Sequence, residues 1–216
     1  LYKIVHDLSR RAKMPMPKVY LIEAPSPNAF ATGRSPKHSA VAATQSLLDM
    51  LSEEEVQGVM AHELSHVRHR DTLIQTIAVG IASAISMIAN FLQFALIFGM
   101  GGDEDDGIGS IAGMILIIIL TPIIATLIQL AISRSREFLA DEGAARLLKT
   151  PQPLINGLQK LEAAASRSHK YSQSQTPTSS LFIVNPFKGS SLANLFSTHP
   201  STKKRIERMK ALKLNR

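Results

Sequence analysis

Two apolar runs constrain this chain more than any other feature. Residues 73–98 are apolar apart from Gln75, Thr76, Asn90, Gln93 and a few serines, and residues 111–132, "IAGMILIIILTPIIATLIQLAI", form the second run. Each exceeds the roughly 18 residues that cross a hydrocarbon core of about 30 Å as a helix. The alternative is two helices buried all round in a soluble domain, and 216 residues leave little chain to wrap them. Residues 73–132 are therefore read as a two-helix transmembrane hairpin. Pro122 is expected to kink the second helix, Gly80 with Ala84 to permit close helix approach, and Asn90, Gln93 and Gln129 to act as helix-packing hydrogen bonders. The connector "GMGGDEDDGIGS", residues 99–110, has no Lys or Arg, whereas Arg68 and Arg70 precede the hairpin and Arg134 and Arg136 follow it. The positive-inside rule then puts both flanks in the cytoplasm and the acidic turn outside. Residues 1–72 and 133–216 become one cytoplasmic domain, interrupted by the hairpin.

The rest of the chain reads as an α+β domain with a small N-terminal sheet. A short helix through "LYKIVHDLSRRA" precedes strands at 18–24, 28–33 and 38–44, and "TQSLLDML" begins a second helix. Ser52 followed three residues on by Glu55 is a capping-box signature for a helix that carries "MAHELSHVRHRDT". "SREFLADEGAARLLK", residues 153–165 and a segment from Ser201 read as further helices, and the polar stretch 166–180 as a mobile loop. Cysteine is absent, so a metal site must use His, Asp or Glu. The net charge of +7 comes without aromatic interleaving or a nucleic-acid motif, which argues against nucleic acid and for anionic lipid as the partner, including for the basic tail from Lys203 to Arg216. The first residue is Leu1 and no signal-peptide pattern precedes the first helix, so excision from a longer chain is expected.

His62 and His66 are four residues apart. On a helix they share one face, near enough for both imidazoles to reach one ion at about 2.0–2.1 Å. Glu63 is turned about 100° from His62, which removes it from the ligand set and leaves it free to take a proton from a water at that ion. His69 lies seven residues from His62, about 10.5 Å along the axis, too far to join the same ion within one helix. It is read as an interfacial residue. A metzincin would have Gly at 69 and His at 72, where this chain has His69 and Thr72. A carboxylate third ligand is expected, and Glu137 stands just beyond the second apolar run, with Asp141 one turn later. His66 and Glu137 are seven and five residues from the run ends at Leu73 and Ile132, so both half-sites come to matching heights above the membrane. Two exposed helix histidines with no ion is the plainer reading of the pair. His6, His38 and His169 have no partner pattern and are read as surface residues.

"HELSH", "REFLAD", "PNAFATG" and "STHPSTKKRIERM", in this order, resemble the HtpX-like membrane zinc metalloproteases, relatives of the CAAX prenyl proteases, over nearly the whole chain. The resemblance implies a zincin-like (gluzincin) catalytic domain holding one Zn2+ on His62, His66 and Glu137, with Glu63 as base. It also implies a multi-pass protein of the bacterial inner membrane that cleaves misfolded or damaged membrane proteins as quality control. Family members carry additional N-terminal membrane segments, which this sequence lacks. Asp141 has two readings, a helix-face charge beside Arg136 or Arg146, or a carboxylate fixing a ligand histidine; the resemblance favours the second. It likewise favours His199, in extended or turn backbone before Pro200, as an electrophile at the scissile carbonyl, and Arg205 as a support for the site carboxylates. The strand containing Asn28, Ala29 and Phe30 is either core or an exposed edge that binds extended polypeptide. Rival functions are a CAAX-type prenyl-protein protease and a catalytically silent membrane scaffold. Oligomeric state has no signature here.

Overall fold

In a computed structural model, residues 1–97, 108–168 and 200–214 are described. Helix α1 (Tyr2–Arg11) buries Val5 and Leu8 and leaves Arg10 and Arg11 exposed, an amphipathic surface helix. Strands β1 (Lys18–Ile22), β2 (Ala29–Ser35) and β3 (His38–Thr44) form one sheet in the order β1-β3-β2. β1 runs parallel and β2 antiparallel to β3, so β3 is central; its residues 41–44 are all buried, while β2 is an edge among the described residues. Thr44 closes β3 and caps α2 (Gln45–Met50), its hydroxyl accepting the Leu47 N–H at 3.3 Å.

Helix α3 (Glu53–His69) opens on the expected capping box. Ser52 Oγ accepts the Glu55 N–H at 3.3 Å, and Glu55 Oε2 accepts the Ser52 N–H at 2.8 Å. Glu55 also takes Lys160 Nζ at 2.8 Å from α6 (Gln152–Ser168). α3 and α6 approach so closely that a Cβ on Gly58 would stand 2.5 Å from the Leu154 nitrogen. Their apolar faces, with Val5, Leu8, Val41, Leu47 and Met209, make the core. Met209 comes from α7 (Thr202–Lys210), which Ser201 caps through the Lys204 N–H at 3.4 Å. Helix α6 continues to Ser168, so residues 166–168 of the expected loop are helical.

Helix α4 (Asp71–Ile97) follows α3 after a single residue, Arg70, held left-handed at φ 55°. Helix α5 (Ile108–Leu148) is uninterrupted for 41 residues, so the segment with "REFLAD" is not a separate helix but the end of the helix containing the second apolar run. Pro122 lies inside it, and the Thr126 hydroxyl donates to the Pro122 carbonyl at 2.7 Å, one turn back along the helix. The backbone divides into two compact units, Leu1–Leu73 with Ser133–Arg216, and Ile74–Ile132.

In the second unit Ile77, Ile81, Met87 and Phe91 of α4 are exposed, as are Leu116, Leu120, Ile124 and Ile128 of α5. Asp71–Phe91 is, among the described residues, the one segment long and apolar enough to cross a membrane. Nothing described lies within 4 Å of where a Gly80 Cβ would stand, and among the described residues Ala82 and Ala125 are buried. Residues 99–107 of the acidic turn, His169, residues 169–180 of the expected loop, and His199 lie outside the described residues.

Candidate metal centre

The centre is built on one face of α3. His62 is 2% exposed, and its Nε2 stands 3.0 Å from His66 Nε2, with the two rings nearly perpendicular at 87°. From α5, Glu137 presents Oε2 3.6 Å from His62 Nε2 and Oε1 3.5 Å from His66 Nε2. Ligand atoms about 2.0–2.1 Å from a tetrahedral ion stand about 3.3 Å apart. The three donors, one from each residue and all within 4.8 Å of one another, therefore fit a tetrahedral metal with one position left open. Close helix approach makes this possible. A Cβ on Gly143 would lie 2.6 Å from Ser65 Oγ, so glycine lets α5 bring its carboxylates to α3.

Behind each histidine stands a carboxylate, and behind each carboxylate an arginine. His62 Nδ1 is 3.0 Å from Asp141 Oδ1. Arg205, only 1% exposed, donates Nε to Asp141 Oδ2 at 2.9 Å and NH2 to Oδ1 at 2.6 Å, and its NH1 reaches Glu137 Oε2 at 3.4 Å. On the other side, His66 Nδ1 is 2.6 Å from Asp71 Oδ2, and Asp71 is gripped by Arg136. α7 is further seated by Arg208, whose guanidinium lies 4.6 Å from the centre of the Phe138 ring. Asp141 thus pairs with neither candidate neighbour: Arg136 serves Asp71, and Arg146 serves Glu142 at 2.8 Å.

Charge supplies a second test of fit. Glu63, Asp71, Glu137 and Asp141 are all buried and face two arginines, a deficit of two positive charges that a divalent cation would match. The titration of the groups reflects this. Burial and the Arg205 guanidinium press the His62 imidazole down, but its bonds to Asp141 and Glu137 outweigh both and lift it to about 9. Burial pushes the Glu63 carboxyl above its ordinary range, against the pull of His62 and His66. Burial would raise Asp141 too, yet Arg205 and His62 hold it low. Arg205 stays charged despite its burial because Asp141 and Glu137 surround it.

The structure therefore gathers His62, Glu63, His66, Glu137, Asp141 and Arg205 into one region. His69 stays out of the donor cluster; it lines a separate open cavity of about 890 Å3 where α1, α3 and α5 end. Arg11, Arg68, Arg146 and Lys149 line that cavity, where basic side chains offset the negative ends of three helix dipoles. Asn28, Ala29 and Phe30 sit at the start of β2, the sheet edge that packs on α3. Asp71 was missed by sequence reasoning. Its signal was an aspartate five residues beyond the second histidine, directly where the soluble helix gives way to the apolar one.

The sequence model for peptidase family M48 matches residues 1–213. A protease HtpX homolog of Syntrophotalea carbinolica is 52% identical over 209 residues, covering 97% of this chain and 75% of the relative. One from Thermococcus kodakarensis is 52% identical over 213 residues, covering 98% and 73%. The protease HtpX of Legionella pneumophila strain Corby is 49% identical over 214 residues, covering 98% and 76%. Among solved structures, Ste24p of S. mikatae matches with a TM-score of 0.58 and 21% identity, over 96% of this chain and 48% of that one. At that identity the likeness speaks to fold alone. The chain belongs to peptidase family M48, as an HtpX-like membrane metalloprotease.

Proposed function

We propose that the protein holds one Zn2+ on His62, His66 and Glu137 and uses it to cleave peptide bonds of misfolded or damaged membrane proteins at the cytoplasmic face of the bacterial inner membrane. The observation that carries the ligand set is the convergence of three ligand atoms within 4.8 Å of one another. An ion so held supplies Lewis-acid polarisation of the scissile carbonyl and acidifies water. The chain's own residues do the rest. Glu63, excluded from the ligand set by its position on α3, takes a proton from the attacking water and returns it to the leaving amine. Asp141 fixes the His62 ring, and Arg205 keeps Asp141 ionised. His199 is the proposed donor to the developing oxyanion.

Substrate is proposed to add as an extended strand to β2. Asn28 is already engaged with Thr44, its carbonyl accepting the Thr44 N–H at 2.8 Å. Alternation along an antiparallel pair then turns the main chain of Ala29 and Ala31, not that of Asn28 or Phe30, toward the open edge. Apolar α4 and α5 are the proposed hairpin, and the arginine distribution supports both of its ends facing the cytoplasm.

Metal analysis of purified protein, paired with casein cleavage in detergent, tests the chemistry. One zinc per chain and cleavage that a chelator stops are expected. Stoichiometric zinc without cleavage would favour the silent scaffold, and no zinc would overturn the ligand set. For topology, a cysteine replacing Asp105 should react with an impermeant thiol reagent outside the cell and one replacing Lys203 should not; the reverse pattern inverts the orientation.

A further inference from the structure

We propose that Asp71 and Arg136 are a positioning pair for the second histidine ligand; the inference rests on the ligand set proposed above. With Nε2 of His66 turned toward His62 and Glu137, its Nδ1 carries the proton and donates to Asp71 Oδ2 at 2.6 Å. A buried carboxylate in this position fixes the ring and raises the basicity of the ligand nitrogen. Asp71 is 3% exposed, and its other oxygen is gripped by Arg136 through Nε and a terminal nitrogen. Arg136 also donates to the carbonyl of His69 at 3.3 Å, one of the acceptors that the end of α3 leaves without a helical partner.

The arrangement repeats that of Asp141 and Arg205 behind His62, from different elements. Asp71 is the first residue of α4, and it returns to His66 only because Arg70 is left-handed, with φ 55° and ψ 42°. Arg136 immediately precedes Glu137 on α5. One pair thus joins the second histidine, the end of α3, the start of α4 and the helix of the third ligand. A bridge that merely closed a helix end would need no contact with the imidazole, and here the same carboxylate stands within hydrogen-bond distance of the imidazole, at 2.6 Å.

The test uses the full chain in detergent, stripped of metal. Zn2+ affinity is read by chelator competition, and ligand geometry by the visible absorption of the Co2+-loaded protein. Asp71→Asn keeps the shape and removes the charge, and is expected to weaken Zn2+ binding 10–100-fold and to change the Co2+ spectrum at saturation. Arg136→Gln should lose less, with Arg136→Lys recovering part of that loss. A Zn2+ affinity within twofold of the parent and an unchanged Co2+ spectrum in Asp71→Asn would overturn the proposal. Should Asp71→Asn not fold, Arg136→Gln is judged by the same two readouts; failure of both to fold would also overturn it, making the pair a structural clamp. A parent protein that takes up no Zn2+ would instead bring down the ligand set, and this inference with it.

Discussion

Glu63 is 5% exposed, and burial leaves its carboxyl less willing to ionise than an ordinary glutamate. Only the ionised form can accept a proton, and a divalent ion beside Glu63 would favour that form against the effect of burial. Glu63→Gln should hold metal as the parent does and lose proteolysis; near-normal turnover by a metal-loaded variant would sink the base assignment. Asp141→Asn is a different case. For metal binding it should be milder than Glu137→Gln, which weakens a direct ligand and is expected to cost affinity at least 10–100-fold. For stability it should be severe, because it strips Arg205, 1% exposed, of its main counter-charge, a loss of about 3–5 kcal/mol. Denaturant unfolding of the metal-free variant measures that loss, and a change below about 1 kcal/mol would refute it. For the plainer reading of Asp141 the sequence offers only the arginines nearby in the chain; its partner Arg205, which the family resemblance names as a support for the site carboxylates, lies 64 residues away.

Helix α3 carries the chemistry, and its two ends show what a sequence discloses. At its start, the capping box lies within four residues, so Ser52 and Glu55 announce it locally. Ser52→Ala is expected to cost about 1 kcal/mol. In its middle, Gly58→Ala would drive a methyl into the backbone of Pro153 and Leu154, at 2.6 and 2.5 Å, where no side chain can swing aside. About 1–3 kcal/mol of destabilisation is expected, with α6 displaced. A melting temperature equal to the parent's would show that α6 yields freely. At its far end the helix stops at His69, and one left-handed residue folds Asp71 back against His66. Asp71 itself stands where the apolar run begins, but nothing local marks the turn that folds it back: arginine is an ordinary helix former, and the grip that holds the turn comes from Arg136, 65 residues later. Helices, strands and the histidine pair were legible because short-range periodicity and spacing encode them. Arg136 was not legible as a partner, because long-range packing selects it, and Arg205 was indicated only by the family resemblance.

At the scale of the molecule, the deficit of positive charge decides how the protein responds to pH. Without metal, His62 binds its proton more tightly in the fold, at about 9, than in the unfolded chain, at 6.5. That proton stabilises the fold in full below 6.5, and its contribution drains away as the pH rises through about 9. The melting temperature of the metal-free protein is therefore expected to fall across this interval, while the zinc-loaded protein, whose ion takes the proton's place, should not follow. A metal-free protein that becomes more stable over the same interval would contradict the account. The location of Arg205 bears on the moment at which the enzyme is born. The three proposed metal donors are translated by residue 137, yet the guanidinium that neutralises Asp141 and touches Glu137 arrives on α7, some 64 residues after Asp141. A nascent chain halted between these points carries the whole ligand set and cannot bury it without stranding a carboxylate. Burying the proposed centre with its charges paired thus waits on α7, long after its donors have been made.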